Sequence, residues 1–571
     1  MKAWWCFPAV ALCLFPFIST AAQLLSVDHT GTRSGNAGVG ESFAISSDGR
    51  FAVFNTTATN YVLNDTNHAS DVFVHDCLLR QHVWNTTFAL SPIMPINGRS
   101  TPWALSPDAR YLVFVSTATN LVPGAAFMAN GSEQVYWRDL ASNVTTLVSI
   151  AHDGSNVANG FIPSSSLRNR CLSSDGRFVS FVSTASNLVA LTDTNVNSYD
   201  VFCRDVVSGT TQAITVAPEG DRTLDVSTAS FVMSTNGRFF AFTTRATNVI
   251  AGMVNAARTD QVYWRDRVAG TNTLVSIALD GGFASTHATL RDMSRDGRFV
   301  CFLTSATNIV ADQNDSSLNN DLFIRDMLLA QTWLVSRSTN GGASGTVEGG
   351  QFSANGNVLI FSASTANLAP NLADANGFST DIFAHYVQGR SNALVSVSWQ
   401  GNTGADAFAS DDFANISATG RFVLFTSSAG NLIPGYATHV QRLYLRDLQS
   451  ARTLDPLRSP HFPTFAFNYA HTAISDTERY IFFMTQTNFD ASVADNNNTI
   501  DLFRAALFEP RFLSANPLIA DALPNTTYIL EASTNLLQWL RVQTNTADSR
   551  GRITFKEPIT APQRFYRLLW P

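Results

Sequence analysis

The chain carries little charge and almost no lysine. Only 14% of its 571 residues are Asp, Glu, Lys or Arg, lysine occurs only at Lys2 and Lys556, and the net charge is −7. A protein that follows a phosphate backbone needs a basic face, which this composition does not supply. Nucleic acid is therefore not expected as a partner. The hydrophobic content of 45% is ample for a globular core.

Cysteine is also scarce, and two of the six cysteines lie in the first 22 residues. Residues 1–22 begin with one positive charge, continue with an apolar stretch and end with small residues, which is the pattern of a secretory signal peptide. Its removal leaves four cysteines, too few for a disulfide framework. We expect a secreted, periplasmic or cell-envelope protein that does not span the membrane after signal cleavage.

One unit is repeated eight times along the chain. The segment ISSDGRFAVFNTTATNYV at 45–62 returns as LSPDARYLVFVSTATNLV at 105–122 and as LSSDGRFVSFVSTASNLV at 172–189, and five further copies follow. The repeat length is about 61 residues, and such self-similarity is the signature of a repeat architecture. The units occupy residues 23–510.

Each unit contains four strand-like runs separated by Asp-Gly or similar turn signals. Four-stranded units in tandem predict an all-β, eight-bladed β-propeller. The eighth unit stops after its third run, DLFRAALF at 501–508, whereas the segment LLSVDHTGT at 24–32 is an unpartnered fourth run. We therefore expect the N-terminal strand to complete the last blade and close the ring.

The recurring Ser-x-Asp-Gly-Arg-Phe-Val and Asp-Val-Phe-Val-Arg-Asp signatures resemble the TolB-type, WD-like propeller repeats of secreted bacterial proteins. The resemblance covers about residues 23–510 and implies a binding or scaffolding module. The chain departs from TolB itself, because no N-terminal domain precedes the blades and the units are more numerous.

Residues 511–571 lack the repeat and contain strand-like runs that suggest a small β-sandwich-like module. Glu531–Leu536, Trp539 and Phe565–Arg567 resemble a C-terminal element of bacterial secreted proteins, which implies a surface or sorting role. The alternative is that Trp539 and Tyr566 are only the core of this module.

Five of the eight units carry an Asp-x-Asn loop followed by an Asp that opens the third strand. These residues are Asp65, Asn67 and Asp71; Asp193, Asn195 and Asp200; Asp312, Asn314 and Asp321; Asp374, Asn376 and Asp381; and Asp495, Asn497 and Asp501. In the other units the strand opens with Gln134, Gln261 or Arg442. The oxygen atoms suit a calcium ion, but the same residues suit a hydrogen-bonded Asx-turn. Both interpretations remain open.

Recognisable catalytic motifs are missing. The sequence has no Gly-x-Ser-x-Gly elbow, no phosphate-binding Gly-x-x-x-x-Gly-Lys loop and no zinc-binding His/Cys spacing. A triad assembled across blades is not excluded, because its members would be adjacent only in space. We expect no catalytic residues, no enzymatic activity and no certain cofactor, with calcium as the one candidate.

The resulting functional prediction is a monomeric, secreted binding or scaffolding propeller with a protein or carbohydrate ligand at the mouth of its central channel. The alternatives are an extracellular hydrolase or lyase with its active site at that mouth, or a TolB-like envelope-assembly protein. An enzyme should cluster Asp, Glu, His or Arg residues that do not recur among the units at one mouth of the channel, whereas a scaffold should present repeat-consensus residues there.

Overall fold

The structure is a computed structural model, and it describes most of the chain. The described residues are 5–8, 22–63, 65, 67–86, 96–122, 132–163, 170–191, 198–217, 230–247, 249–311, 319–339, 346–364, 367–370, 376–377, 379–435, 441–457, 471–490, 492–507, 511–515, 518–522, 526–533, 538–548, 552–556 and 563–569. Strands, turns and loops make up this part of the chain, and it contains no helix that could cross a membrane.

Eight antiparallel sheets follow one another along the chain, which confirms the predicted eight-bladed propeller. From the innermost strand outward, blades one to four contain Val39–Ile45, Phe51–Thr56, Asp71–Asp76 and Gln81–Asn85; Ser100–Leu105, Tyr111–Ser116, Gln134–Asp139 and Val144–Leu147; Phe178–Ser183, Asp200–Asp205 and Thr210–Ala213; and Phe231–Met233, Phe239–Thr244, Gln261–Asp266 and Thr271–Leu274. In blade three the innermost position is held by a bridge between Leu172 and Val179.

Blades five to eight repeat this order. They contain Ala288–Met293, Phe299–Thr304, Asp321–Asp326 and Gln331–Leu334; Val347–Phe352, Val358–Ala363, Asp381–Tyr386 and Ser391–Leu394; Ala409–Ile416, Phe422–Ser427, Arg442–Asp447 and Arg452–Leu454; and Thr472–Ile474, Tyr480–Thr485, Asp501–Ala506 and Gln23–Leu24. The hydrophobic core lies between neighbouring blades. For example, Val53 and Val74 of blade one share a buried cluster with Leu112 and Phe114 of blade two.

The consensus residues of the repeat build the turn between the first and second strands. In blade one, Ser46 Oγ donates to Asp48 Oδ1 at 2.6 Å, and the Arg50 amide donates to the same oxygen at 2.9 Å. Gly49 has a φ of 69°, which glycine adopts without steric cost. The Arg50 guanidinium reaches Asp76 at the end of the third strand, with Nη2 and Oδ2 2.6 Å apart. Each consensus residue therefore has a structural role.

The N-terminal strand closes the ring as predicted. Gln23 and Leu24 pair antiparallel with Arg504 and Phe503 of blade eight. Two side-chain bonds extend this closure, because Ser26 Oγ donates to Asp501 Oδ1 at 2.6 Å and accepts the Leu502 amide at 3.2 Å.

The C-terminal segment forms two sheets around one hydrophobic cluster. One sheet contains Trp5–Pro8, Gln563–Leu569, Thr527–Ser533 and Leu540–Thr546, and the other contains Arg511–Ala515, Leu518–Asp521 and Arg552–Phe555. Tyr566 is buried in the cluster, whereas Trp539 is half-buried. Signal cleavage after residue 22 and a surface or sorting role for this segment stay predictions.

Candidate functional site

A cavity of about 520 Å³ lies where the innermost strands of all eight blades converge, and we call it the central cavity. Each blade contributes the residues just before or just after the conserved Ser of its first turn. The lining includes Phe43, Leu105, Cys171, Val232, Asp292, Gln351, Asn415 and Asp476, one from each blade in turn. The floor and walls of the central channel are therefore built from eight different local sequences.

The wall of the central cavity is divided into a polar and an apolar part. At the position two residues before the conserved Ser, blades five, six and seven carry Asp292, Gln351 and Asn415. The other five blades carry alanine, cysteine or valine at that position: Ala44, Ala104, Cys171, Val232 and Ala473. Asn415 Nδ2 donates to the Thr472 carbonyl at 2.7 Å, which fixes the amide on the polar side. At this repeat position, hydrogen-bonding side chains therefore lie on one side of the cavity only.

Two ion pairs connect blades that are not neighbours. Arg170 of blade three pairs with Asp292 of blade five. Arg295 of blade five pairs with Asp476 of blade eight, with Nη2 and Oδ1 3.0 Å apart. Blades five and eight are three places apart in a ring of eight, so the second pair reaches across the channel. Asp292 also accepts the Phe352 amide at 2.8 Å through Oδ2 and is only 7% exposed.

Arg291 adds an exposed guanidinium group to the central cavity. It lies where the register between the first two strands of blade five shifts, between Leu290 and Asp292. Such bulges re-aim side chains and are frequent beside functional sites. Gly350 of blade six makes room for it, because a Cβ atom at Gly350 would lie 3.1 Å from Arg291 Cβ. Gly350 has a φ of +135°, a conformation that is costly for any other residue.

The five charged residues of the central cavity stand at repeat positions that are uncharged in at least six of the eight units. Arg170 and Arg291 stand three residues before the conserved Ser, where other blades carry Phe43, Trp103, Phe231, Gly350, Ala414 or Thr472. Arg295 and Asp476 stand directly after it, where other blades carry Ser47, Pro107, Ser174, Thr235, Ala354 or Ala418. Sequence reasoning missed these residues. Aligning the units and searching for charges at positions that are uncharged in most units would have found them.

The acidic loops of units one and eight lie outside the central cavity and contain the hydrogen bonds of an Asx-turn. In unit one, Asn67 Nδ2 donates to Asp71 Oδ2 at 3.1 Å, the Asn67 amide donates to Asp65 Oδ1 at 3.3 Å, and the Ala69 amide donates to Asn67 Oδ1 at 2.9 Å. Burial raises the pKa of Asp65. A direct hydrogen bond thus joins the loop to the third strand in unit one.

The loop of unit eight has the same turn with a different amide partner. The Asn497 amide donates to Asp495 Oδ1 at 3.2 Å, and Asn497 Nδ2 donates to the Gly35 carbonyl at 2.8 Å. Burial raises the pKa of Asp501 to about 7. In unit six, Asn376 Nδ2 lies 3.4 Å from the Ala407 carbonyl. Asp193, Asn195, Asp312, Asn314 and Asp374 lie outside the described residues.

The first residue of the third strand has one role in most blades. A hydroxyl group fifteen residues later, or Ser26 in the case of Asp501, donates to its side chain. The donors and distances are Thr86 to Asp71 at 2.7 Å, Thr215 to Asp200 at 2.7 Å, Ser336 to Asp321 at 2.8 Å, Ser396 to Asp381 at 2.6 Å and Ser26 to Asp501 at 2.6 Å. Gln134 and Gln261 accept the same bond from Ser149 and Ser276, each at 2.7 Å.

Within the described ranges, no three His, Cys, Asp or Glu side chains are placed to hold a metal ion together. The calcium interpretation also used asparagine and main-chain oxygens, and it stays a prediction. In unit one the Asn67 side-chain oxygen is engaged by the Ala69 amide, which is a bond of the turn interpretation.

Solved structures similar to this chain are β-propeller proteins. The dipeptidyl peptidase 4 of Porphyromonas gingivalis is 13% identical, with a TM-score of 0.43 over 80% of this chain and 57% of the peptidase. The β-propeller domain of the Trilobed protease from Pyrococcus furiosus is 9% identical, with a TM-score of 0.36 over 75% of this chain and 99% of that domain. TolB from Acinetobacter baumannii is 13% identical, with a TM-score of 0.28 over 58% of this chain and 60% of TolB. No family model matches the chain, and neither does any of the curated proteins compared with it.

These comparisons correct the expectation that the protein is not an enzyme. The solved structures similar to this chain include a dipeptidyl peptidase and the β-propeller domain of a protease as well as TolB. Missing catalytic motifs do not exclude catalysis, because the members of a catalytic triad can be adjacent only in space. The central cavity contains five charged residues at repeat positions that are uncharged in at least six of the eight units.

Proposed function

We propose that this protein is an extracellular hydrolase or lyase whose acidic substrate binds in the central cavity. The observation that supports it is a set of five charged residues that converge in that cavity, each at a repeat position that is uncharged in at least six of the eight units. Three are arginines and two are aspartates, so the cavity carries a charge of +1 (three minus two), whereas the chain carries −7. A positively charged cleft in an acidic protein attracts negatively charged substrates.

The residues divide into binding and reacting groups. The Arg291 guanidinium is exposed, and a guanidinium can bind a carboxylate through two parallel hydrogen bonds. Asp292 and Asp476 are the carboxylates of the cavity, and each is held in place by an arginine. A carboxylate in a fixed position can transfer the proton that either hydrolysis or elimination requires. The apolar wall would hold the uncharged part of the substrate.

The location proposed for this activity is outside the cytoplasm. It rests on the signal-peptide pattern of residues 1–22. Substrates in that location include acidic polysaccharides and acidic peptides.

The test is an assay of the full chain on polygalacturonate, alginate and a Glu-rich peptide. New reducing ends or amines report hydrolysis, and absorbance from a new conjugated double bond reports elimination. Arg291→Ala should lower kcat/KM at least about tenfold, since the charge-assisted bonds that it removes are among the stronger ones in proteins. Asp292→Asn should lower kcat while keeping the bond to the Phe352 amide.

Arg33→Ala is the matched control, because Arg33 is an exposed arginine outside the lining of the central cavity. It should leave activity unchanged. Equal activities of Arg291→Ala, Asp292→Asn and the wild type on every substrate that is turned over would contradict the proposal, as would the absence of turnover on all three substrates.

A further inference from the structure

The ring closes where blade eight meets blade one, and we call this contact the seam. The N-terminal strand of the seam is Gln23–Leu24, which pairs with two residues of blade eight, Phe503 and Arg504. The outermost strands of the other seven blades have three to five residues. A short strand at the end of a chain is an element that opens readily. The seam is therefore a place where the ring can open without the unfolding of a whole blade.

Blade one places two histidines at the seam. His75 of the third strand and His82 of the fourth strand face each other, with ring centres 5.0 Å apart. His82 Nε2 donates to the Val27 carbonyl at 2.9 Å, so this ring is bonded to the segment that closes the ring of blades. A carbonyl can only accept, so the proton of the neutral His82 ring is on Nε2.

The other three ring nitrogens have no hydrogen-bond partner in the described part of the chain. They are both nitrogens of His75 and Nδ1 of His82, and all three are shielded from solvent. The His75 side chain is fully buried. Buried polar groups without a partner are rare in folded proteins. A charged imidazole has two N–H donors that need acceptors, so this site tolerates only the neutral rings.

The sister blades show that the propeller does not need histidine at these two positions. In each of the other seven blades a hydrogen bond of 2.8–3.1 Å joins the two residues: Arg138 and Thr145, Arg204 and Thr211, Arg265 and Asn272, Arg325 and Thr332, His385 and Asn392, Arg446 and Thr453, and Arg504 and Gln23. Within the described residues, His75 and His82 lack such a bond. A satisfied pair is thus replaced by an unsatisfied one at the seam.

Protonation of the two histidines places like charges on both sides of the seam. The charged groups that face His75 are His82, Asp76 and Arg80 of blade one and Arg504 of blade eight. Burial, together with His82 and Arg504, holds the pKa of His75 well below its usual range, and burial lowers the pKa of His82 from 6.5 to about 4. The stability that these neutral rings give to the closed seam is complete above about pH 6.5 and is lost as the pH falls toward 4.

Asp501 of the seam titrates in the opposite direction. Tyr61 packs against His82, with ring centres 5.0 Å apart, and the charges of Asp28 and Asp501 act on the Tyr61 hydroxyl. Burial raises the pKa of Asp501 to about 7, so its contribution to the closed seam is lost as the pH rises. Below pH 6.5, opening takes up two protons at the histidines and releases one at Asp501, so acid favours opening on balance.

We propose that the seam is an acid-sensitive closure, in which protonation of His75 and His82 separates blade one from the N-terminal strand and blade eight while the other blades stay folded. This device is independent of the activity proposed for the central cavity.

Cys77 reports whether the seam is open. It is 3% exposed and belongs to the hydrophobic cluster that blades one and eight share, and its carbonyl accepts Gln23 Nε2 at 3.2 Å. Cys171, Cys203 and Cys301 are also buried but lie in blades three and five. An open seam therefore exposes Cys77 alone, whereas unfolding of the propeller exposes all four thiols.

The experiment is labelling of the full chain with 2,2′-dithiodipyridine, which reacts with thiols in acid, at about pH 6.5 and about pH 4.5. Peptide mass spectrometry identifies the labelled cysteines, and the rate of free cysteine at each pH is the reference. The protection of Cys77 should fall at least about tenfold between these pH values, since opening takes up one net proton. The protection of the other three cysteines should not change.

His75→Arg/His82→Asn recreates the pair of blade four, where Asn272 accepts Arg265 and its Nδ2 donates to the Val216 carbonyl at 2.9 Å. The double variant removes both titrating rings, so the protection of Cys77 should not fall in acid. His82→Asn alone can keep the bond to Val27 and should reduce the fall. This single variant decides the test if the double variant does not protect its cysteines at pH 6.5.

His385→Arg is the matched control, because His385 is a buried histidine at the same strand position in blade six. It should leave the acid-induced labelling of Cys77 unchanged. The proposal is overturned if Cys77 of the wild type keeps its protection in acid, or if the protection falls as much in both seam variants as in the wild type. Simultaneous labelling of all four cysteines would also overturn it.

Discussion

Replacing His385 by arginine should remove a defined part of the pH dependence of folding. His385 is 1% exposed, and its two ring nitrogens have different partners. The Trp333 indole, which can only donate, donates to Nε2 at 3.1 Å. Nδ1 lies 2.8 Å from Asn392 Oδ1, and the amide nitrogen of Asn392 is used by the Val335 carbonyl. The ring is therefore neutral, with its proton on Nδ1, and burial lowers its pKa from 6.5 to about 4.

The sign and size of the effect follow from this pKa. Between pH 6.5 and pH 4 the unfolded chain binds a proton at His385 that the folded protein does not. Folding stability is therefore lost as the pH falls through this window. The loss from this residue amounts to about 2 kcal/mol between about pH 7.5 and about pH 5, and to about 3 kcal/mol once the folded protein is also protonated.

The sister blades indicate that arginine can replace His385. The same strand position holds Arg325 in blade five and Arg446 in blade seven. In blade two the arginine of this position stacks on a tryptophan of the preceding blade, with Arg138 Cζ 5.0 Å from the centre of the Trp84 ring. His385→Arg can meet Trp333 in the same way. Arginine stays charged at both pH values, so the variant lacks this titration.

The assay is urea unfolding of the wild type and of His385→Arg at about pH 7.5 and about pH 5. The decrease in the free energy of unfolding between these pH values should be smaller in the variant by about 2 kcal/mol. Gln388→Arg adds the same charge at an exposed position of blade six and should keep the decrease of the wild type. An equal decrease in His385→Arg and the wild type would refute the conclusion that His385 is neutral in the folded protein.

Three further predictions concern the ring closure, an acidic loop and the central cavity. Burial raises the pKa of Asp501 from 3.8 to about 7. The contribution of this residue to folding stability is therefore lost as the pH rises through that window, by about 3 kcal/mol between about pH 5 and about pH 8. Asp501→Asn should abolish this loss in urea unfolding, and an unchanged loss in the variant would contradict the prediction. Asp71→Ala should lower the free energy of unfolding by about 1–3 kcal/mol, because the Thr86 hydroxyl and the Asn67 amide lose their acceptor. If the loop is a turn, added calcium leaves the melting temperature of the wild type unchanged, whereas a calcium-dependent rise that disappears in Asp71→Ala would establish a metal site. Gly350→Ala should cost about 1–3 kcal/mol of stability through its backbone conformation and lower kcat/KM by displacing Arg291; kinetics equal to those of the wild type would exclude that displacement.

The propeller could be predicted from the sequence because the consensus residues of each repeat form contacts within their own blade. Ser46, Asp48, Gly49 and Arg50 form a turn whose bonds involve residues of the same blade, so their spacing is visible in the sequence. The closure of the ring could also be predicted, since it required only counting the strands at the two ends of the array.

The central cavity could not be predicted by the same reasoning, because its groups come from different units. Arg170 and Asp292 are 122 residues apart, and Arg295 and Asp476 are 181 residues apart. Only the closed ring brings them together. Recurrence in the sequence identifies the structural residues of each unit, but it does not show which charges from different units lie side by side.

Blades two and four carry glutamine where the acidic units carry the Asp of the third strand. Comparing them distinguishes the structural role of this residue from any role in binding a metal. Gln134 and Gln261 accept the same hydroxyl bond, at the same distance of 2.7 Å, as Asp71 and Asp200. In these blades an acceptor oxygen without a negative charge is therefore sufficient at this position, although a buried carboxylate is the more costly group to desolvate. In unit one that cost is offset by the Asn67 amide, which reaches the second oxygen of Asp71. In unit one this pairing gives a physical reason why Asp71 is accompanied by an Asp-x-Asn loop, and it does so without a metal ion.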